Sequence, residues 1–317
     1  MKANRELLHQ IYPGLMRWVR WVRWERFFGY PLNRRENVCP FFIVGSGRCG
    51  TTLLRRILYG HPKLHIPPEN HVMGKTIKLF HQYRKQRWDV LVYLALSRLA
   101  LHAEFETFEI RLLPLARKLV NTPPNQRSLA FIFDQFYRYH ADSKGKMCKR
   151  WGDKTPLNIF FLPHIRRVFP DAQFIHLYRD GCDVIASFLK MKRYQKIEDA
   201  AKRWKRSIQA GKRFTQQHPR ACLEIRYETL VTQPEKTVRT ICDFLGITYY
   251  DSMIDSSASF HSMGDTIMRS HHHHVAGAIS TESIGKGRRA FTMNERMKLH
   301  ELIEHDLLQL GYTSCLV

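Results

Sequence analysis

The sequence predicts an α/β fold: a central parallel sheet flanked by helices in three layers. The apolar run at 39–46 is followed by a glycine-containing loop and an amphipathic helix, and the run at 171–178 by another helix. A third strand with its exit is expected at 222–230. Strands that alternate with helices form parallel sheets, because a crossover must return the chain to the same edge.

Helices account for most of the remaining chain. Residues 74–143 have a mostly helical pattern, and we expect about 70–143 to form a helical insertion. Further helices are expected at 157–169, 183–194, 200–214, 234–247 and 292–310. Since no repeat or long linker interrupts 39–317, this range is predicted to be a single domain, preceded by a basic and aromatic N-terminal arm over 1–38.

Composition and charge narrow the function classes. The chain of 317 residues carries 51 Lys and Arg against 28 Asp and Glu, a formal net charge of +23. Its hydrophobic fraction of 44% is a globular value and excludes a wholly disordered chain. The basic excess predicts an anionic partner, which charge alone leaves open as nucleic acid, an acidic membrane surface or a phosphorylated ligand.

The cysteines and the N-terminus bear on the compartment. Seven scattered cysteines without a CxxC pair argue against a disulfide framework and a zinc site, and favour a reducing, cytoplasmic location. Arginines interrupt every apolar run of residues 1–35, so we expect neither a signal peptide nor a transmembrane helix.

Residues 15–28 predict an amphipathic N-terminal helix. Trp18, Trp21 and Trp24 share a broad apolar arc that is bordered by arginines. Two interpretations stay open: the helix docks peripherally on the anionic inner face of a membrane, or it packs its tryptophans against the protein's own body.

The strongest chemical signal is the segment GSGRCGTT, Gly45–Thr52, between the first strand and its helix. Such a loop presents free backbone N–H groups to an anion. The spacing of Gly45 and Gly50 is that of a P-loop, but Thr51 stands in place of the lysine that serves the β- and γ-phosphates. With Arg48 inside it, the loop favours a shorter phosphate group than that of ATP.

A second anion site is predicted where the strand at 171–178 meets its helix. Arg179 at the strand end and Ser187 within the helix are spaced to converge on one phosphate. Two strand-to-helix anion sites in one sheet predict a ligand with two separate phosphate groups.

These segments resemble those of the sulfotransferases that use 3′-phosphoadenosine 5′-phosphosulfate (PAPS), in particular the bacterial and tyrosylprotein-type branch. GSGRCGTTLL is similar to the 5′-phosphosulfate loop of that family, and HLYRDGCDVIAS is similar to its 3′-phosphate element. WGDKTP, RYETLVTQP and SIGKGRRAFT resemble its Lys-Thr-Pro segment, adenine-side strand exit and closing basic loop. The motifs follow the family's order over about 40–310, which implies a P-loop-like domain.

The resemblance implies in-line transfer of a sulfonate group from PAPS to a hydroxyl or amine, without a metal. Arg48 and Lys154 are implied to stabilise the transferring group, and Glu69 is implied as the general base. His65 and His71 flank Glu69 and are the runner-up bases. The implied donor-binding residues are Gly47, Arg48, Cys49, Gly50, Thr51, Thr52, Arg179, Ser187, Tyr227, Lys286, Gly287 and Arg288.

The closing loop departs from the family pattern. Gly285-Lys286-Gly287 stands where the branch often has Ser-Lys-Trp, although Ser283 is near. The glycines, with Gly277, predict that this loop moves as a lid.

Two other functions stay open: a P-loop kinase of nucleotides or small molecules, and a non-catalytic protein that binds anionic surfaces. The missing lysine speaks against the first, and the intact site residues speak against the second. The expected acceptor is a small molecule, a carbohydrate or a lipid. Protein tyrosine is less favoured because no signal for the secretory route is seen, no nucleic-acid partner is expected, and His271–His274 is interpreted as a solvated loop.

Overall fold

A computed structural model describes residues 28–34, 38–255 and 277–317. Within them, a parallel sheet has the strand order β2-β3-β1-β4-β5. The strands are β1 Phe41–Gly45, β2 Leu64–His65, β3 Arg150–Lys154, β4 Gln173–Tyr178 and β5 Cys222–Arg226. β1 lies in the centre and pairs with β3 on one side and β4 on the other. The predicted α/β fold class is confirmed.

Helices surround this sheet and fill the connections between its strands. In the described ranges they are α1 Thr51–Tyr59, α2 Met73–Tyr83, α3 Trp88–Ala100, α4 Leu113–Val120, α5 Leu129–Ser143, α6 Leu162–Val168, α7 Gly181–Lys190, α8 Ile197–Gln217, α9 Tyr227–Thr232, α10 Pro234–Leu245, α11 Lys286–Ala290 and α12 Met293–Gln309. Helices α2 to α5 lie between β2 and β3, where the helical insertion was expected.

The side chains of β1 show why the molecule has three layers. Phe42 and Val44 pack in a core with helices α2 to α6. Phe41 and Ile43 point the other way and pack with α1 and α10. Because every one of these side chains is buried, both faces of the sheet are covered, as a parallel sheet requires.

A third core fixes the strand end on which Arg179 stands. It joins α7, α8 and α12 around Trp204, which is fully buried. The indole Nε1 of Trp204 donates a hydrogen bond to the carbonyl oxygen of Arg179 at 3.1 Å. The basic helix α8 therefore positions the second predicted anion site.

Several element boundaries differ from the sequence prediction. Strand β3 was not predicted, because Arg150, Asp153 and Lys154 interrupt its apolar character. The expected helix at 157–169 is a 3₁₀ turn at Pro156–Phe160 followed by α6, since a proline at 163 is tolerated in the first turn of a new helix but not inside a longer one. The expected strand at 222–230 ends at Arg226 and continues as α9.

The described part of the predicted N-terminal arm is attached to the domain. The backbone N–H of Tyr30 donates to the carbonyl of Arg84 at 2.7 Å, and that of Ala130 donates to Leu32 at 2.8 Å. The predicted helix at 15–28, apart from its last residue, and the run His271–His274 lie outside the described residues. Within the described ranges, no helix combines the length and the apolar character needed to cross a bilayer.

Candidate active site

The loop between β1 and α1 bends through backbone conformations that favour glycine. Gly47, Arg48 and Gly50 have φ values of 82°, 56° and 93°. At Gly50 a methyl group would overlap the ring of Tyr227, so a side chain is excluded there. The loop ends at the first turn of α1, where backbone N–H groups have no partner within the helix.

A cavity of about 660 Å³ opens beside this loop, a volume typical of small-molecule sites. Its walls come from the loop and α1, from Arg179 after β4, from α7, from Tyr227 at the start of α9, and from residues 278–290. Most of the predicted donor-binding residues line it: Arg48, Gly50, Thr51, Thr52, Arg179, Ser187, Tyr227, Lys286 and Gly287.

Two guanidinium groups of the cavity lie close enough to influence each other. Nε of Arg48 donates to the hydroxyl of Ser187 at 3.0 Å, and Arg179 pairs with Asp183 at 3.0 Å and stacks 4.5 Å from the ring centre of Tyr227. Burial and the charge of Arg179 lower the pKa of Arg48 from its ordinary value. The two positive charges therefore repel each other, and a bound anion would reduce this repulsion.

The segment after the undescribed residues 256–276 closes over this wall. The hydroxyl of Ser283 lies 2.6 Å from that of Tyr227, and its carbonyl oxygen accepts from Arg179. Asp183 accepts hydrogen bonds from the N–H groups of Gly285 at 3.0 Å and Gly287 at 2.6 Å. Asp183, which sequence reasoning did not single out, thus joins α7 to the closing segment.

Gly287 has a packing role that the lid prediction did not foresee. A methyl group at this position would overlap the carbonyl of Cys182, so α11 could not rest on α7 with any larger residue. The glycine therefore serves a close backbone approach, whereas Gly285, with φ at 72° and open space around it, serves a turn.

Three predicted donor-binding residues do not line the cavity: Gly47, Cys49 and Arg288. Arg288 donates to Asp180 at 3.0 Å and to the carbonyl of Thr313 at 2.8 Å, so it anchors the C-terminal residues. Cys49 is fully buried, and burial raises the pKa of its thiol. Gly47 contributes the conformation of the loop.

The predicted base and the second predicted cation meet at the start of α1. Lys154, at the end of β3, forms an ion pair with Glu69 and lies 3.3 Å from the hydroxyl of Thr52. Because β3 is the neighbour of β1, its carboxyl end brings Lys154 to the edge where the phosphate loop begins. Glu69 itself stands in the connection between β2 and α2.

The two runner-up histidines have different surroundings. His65 is fully buried, a ring nitrogen lies 2.7 Å from that of His140, and burial lowers the pKa of His65 to about 2. Such a histidine is a very weak base out of reach of an acceptor. His71 is half-buried beside the expected base, with its Nε2 3.2 Å from the carboxylate of Glu69.

A buried polar network, not foreseen from the sequence, supports these groups. The hydroxyl of Tyr137 donates to Asp153 at 2.6 Å, Asn158 donates to Asp153 at 2.9 Å, and the backbone N–H of Asn70 donates to Thr155 at 2.8 Å. Asp153 and Thr155 flank Lys154, and Asn70 follows Glu69. The only signal in the sequence was the polar character of WGDKTP itself.

Comparison with known proteins agrees with this geometry. Residues 40–251 match the model of the Sulfotransferase family. The chain belongs to the sulfotransferase family. It is similar to Protein-tyrosine sulfotransferase 1 of Danio rerio, with 26% identity over 219 residues that cover 67% of this chain and 54% of that protein. It is also similar to the protein-tyrosine sulfotransferase of Drosophila melanogaster, with 23% identity over 232 residues that cover 71% of this chain and 41% of that protein. The chain thus spans about half the length of the curated relatives it matches.

Solved sulfotransferase structures share the fold of this family member. The sulfotransferase domain of the Synechococcus olefin synthase matches with a TM-score of 0.58 and 22% identity, over 89% of this chain and 98% of that domain. The sulfotransferase domain from the curacin biosynthetic pathway matches with a TM-score of 0.58 and 21% identity, over 87% of this chain and 98% of that domain.

Proposed function

We propose that this protein transfers the sulfonate group of PAPS to a hydroxyl or amine of an acceptor, and that Glu69 takes the acceptor's proton. The observation that carries this proposal is the meeting of Glu69 and Lys154 at the first turn of α1, beside a cavity that holds Arg48 and Arg179. A base, a cation and an anion site then adjoin each other, as a group transfer between a nucleotide and an acceptor requires.

The charges of the cavity suit this donor. PAPS carries a 3′-phosphate and a 5′-phosphosulfate, and the cavity offers cations from separate chain segments, with Arg48 and the start of α1 for one anion and Arg179 and Lys286 for the other. The ring of Tyr227 lines the same cavity and is available for the adenine.

The reaction requires one bond to form as another breaks. The acceptor oxygen or nitrogen attacks sulfur in line, the bond from sulfur to the bridging oxygen breaks, and adenosine 3′,5′-bisphosphate leaves with that electron pair. The acceptor's proton passes to the carboxylate of Glu69. Lys154 and the free N–H groups at the N-terminus of α1 stabilise the negative charge that grows on the bridging oxygen. Both are held in position before the reaction begins, since Lys154 lies beside Thr52 in the first turn of α1.

The acceptor class is open to a direct screen. Small-molecule, carbohydrate and lipid hydroxyls are candidates, and the names of the relatives add the tyrosyl hydroxyl of a protein. The net charge of +23 favours anionic acceptors, so an acidic tyrosyl peptide belongs in the panel. Transfer of ³⁵S from labelled PAPS identifies the acceptor, and transfer of ³²P from labelled ATP instead would support the kinase alternative.

Glu69→Gln tests the role of the base. We expect kcat to fall by about 10²- to 10⁴-fold, because the amide cannot accept the proton, while the affinity for adenosine 3′,5′-bisphosphate in calorimetry stays unchanged. Glu106→Gln, at an exposed carboxylate, is the matched control and should keep its turnover. Near-normal turnover of Glu69→Gln would move the role to His71.

A further inference from the structure

Beside Glu69 lies a group of side chains that the proposed reaction does not use. His71, His102 and Glu104 each offer a ligand atom, and these atoms all lie within 4.8 Å of one another. The two imidazole rings are 5.1 Å apart, and Nε2 of His71 lies 3.1 Å from the carboxylate of Glu104. All three side chains are partly exposed, so the group is reachable from solvent.

We propose that His71, His102 and Glu104 bind a divalent transition-metal ion of the zinc class. Two imidazoles and a carboxylate are the ligand set of a three-residue zinc site that keeps a fourth position open. Zinc lies about 2.0–2.1 Å from nitrogen, so the ligand atoms must close to roughly 3.3 Å of one another. Nε2 of His71 and the carboxylate of Glu104 already have about this spacing, at 3.1 Å. No metal-type spacing appears in the sequence, because His71 is in a different connection from His102 and Glu104.

The electrostatics of the group favour a cation. Nε2 of His71 lies 3.1 Å from an oxygen of Glu104 and 3.2 Å from an oxygen of Glu69, so two carboxylates converge on one ring nitrogen. Lys154 pairs with the other oxygen of Glu69. A divalent cation bound at this point would be attracted by both carboxylates.

Metal binding here has a consequence for Glu69, and this consequence rests on the proposed function. The oxygen of Glu69 that faces His71 lies 3.2 Å from Nε2 of this proposed ligand, so Glu69 adjoins the proposed ion and could supply its fourth ligand. A carboxylate that ligates zinc is a much weaker base, because the positive charge of the ion lowers its affinity for the acceptor's proton. Bound zinc should therefore inhibit sulfonate transfer and leave donor binding unchanged.

Cobalt(II) and zinc binding to the full chain test the site. The background variant replaces His271–His274 and Cys39 by serine, because a histidine run and an exposed thiol also bind these metals. We expect a single equivalent of Co²⁺ with the visible absorption of a four-coordinate centre, displaced by Zn²⁺. His102→Ala and Glu104→Gln should each weaken binding about tenfold or more.

The control is a histidine with a carboxylate partner elsewhere. His300 lies 3.2 Å from Glu304, and His300→Ala should leave metal affinity unchanged. Circular dichroism of each variant verifies the fold. Absence of stoichiometric binding, or wild-type affinity in both His102→Ala and Glu104→Gln, would overturn the site.

Turnover separates the site from the proposed function. Zinc inhibition of the wild type that is lost in Glu104→Gln supports both the metal site and the proposed role of Glu69. Zinc that binds in the predicted way without inhibiting overturns only the part given to Glu69. No zinc binding together with an inactive Glu69→Gln overturns only the metal site.

Discussion

Lys154 is a cation with 1% of its surface exposed, and its partners offset the cost of burying it. Glu69 supplies the opposite charge and Thr52 a hydroxyl. Removal of one member of such a pair leaves the other charged and unsatisfied, which typically costs about 3–5 kcal/mol. Variants of Lys154 therefore report on stability as well as catalysis, and Glu69→Gln, which keeps a hydrogen-bond acceptor but removes the opposite charge, is assayed together with its Tm.

Asp153 gives the fold a pH dependence of its own. Burial raises the pKa of this carboxyl from 3.8 to about 6. The folded state thus binds the proton more tightly than the unfolded state does. As pH rises from about 4 to about 7, this group therefore lowers the unfolding free energy by roughly 3 kcal/mol. The amide in Asp153→Asn does not titrate. Urea denaturation should therefore show that, over the same rise in pH, the wild type loses about 3 kcal/mol more unfolding free energy than the variant.

The control for this experiment is Asp142→Asn, at an exposed position, which should reproduce the wild-type pH profile. Parallel profiles for the wild type and Asp153→Asn would contradict the predicted titration.

Lys286 and Arg288 are close in sequence but should differ in function. Lys286 lines the cavity, whereas Arg288 is bonded to Asp180 and to the carbonyl of Thr313. We expect Lys286→Ala to weaken binding of adenosine 3′,5′-bisphosphate about tenfold with little change in Tm, since one charge-assisted contact is lost. Arg288→Ala should lower Tm by several degrees with little change in affinity. Calorimetry measures the affinity and thermal unfolding measures Tm. A loss of affinity in Arg288→Ala with an unchanged Tm would support Arg288 as a donor contact.

At the scale of elements, the packing of α11 on α7 completes the cavity wall. Gly287→Ala would force α11 away from the carbonyl of Cys182 and break the hydrogen bond that the Gly287 N–H donates to Asp183. We expect the Kd for adenosine 3′,5′-bisphosphate to rise about tenfold or more, because the displaced helix carries Lys286.

The matched control is Gly285→Asn, because asparagine tolerates a positive φ and the space around Gly285 is open. Unchanged affinity in Gly287→Ala, or an equal loss in both variants, would contradict this packing role.

The elements that were predictable are those whose pattern is local. Strands β1 and β4 are continuous apolar runs, and the loop after β1 carries its glycines in sequence. Strand β3 was missed because its charges are satisfied by distant partners, Tyr137 and Glu69, that no local pattern shows. The contacts of Arg288 were not predictable for a similar reason, since spacing gives a residue's place on an element but not the acceptor that its side chain finds.

On the scale of the whole molecule, the basic excess divides between the cavity and other surfaces. The cavity wall uses Arg48, Arg179, Lys190 and Lys286, a small part of the 51 Lys and Arg. The remainder would attract anionic acceptors and would make association with them sensitive to salt.

The central place of β1 also governs how the chain reaches this structure. Its partners β3 and β4 follow more than 100 residues later, at Gly152 and Gln173 for Phe41. Pairings of such sequence separation make folding slow, because a long loop must close before its contacts form. The cavity needs both Arg48 and Lys286, which are more than 200 residues apart, so on a ribosome it forms only after Lys286 has emerged.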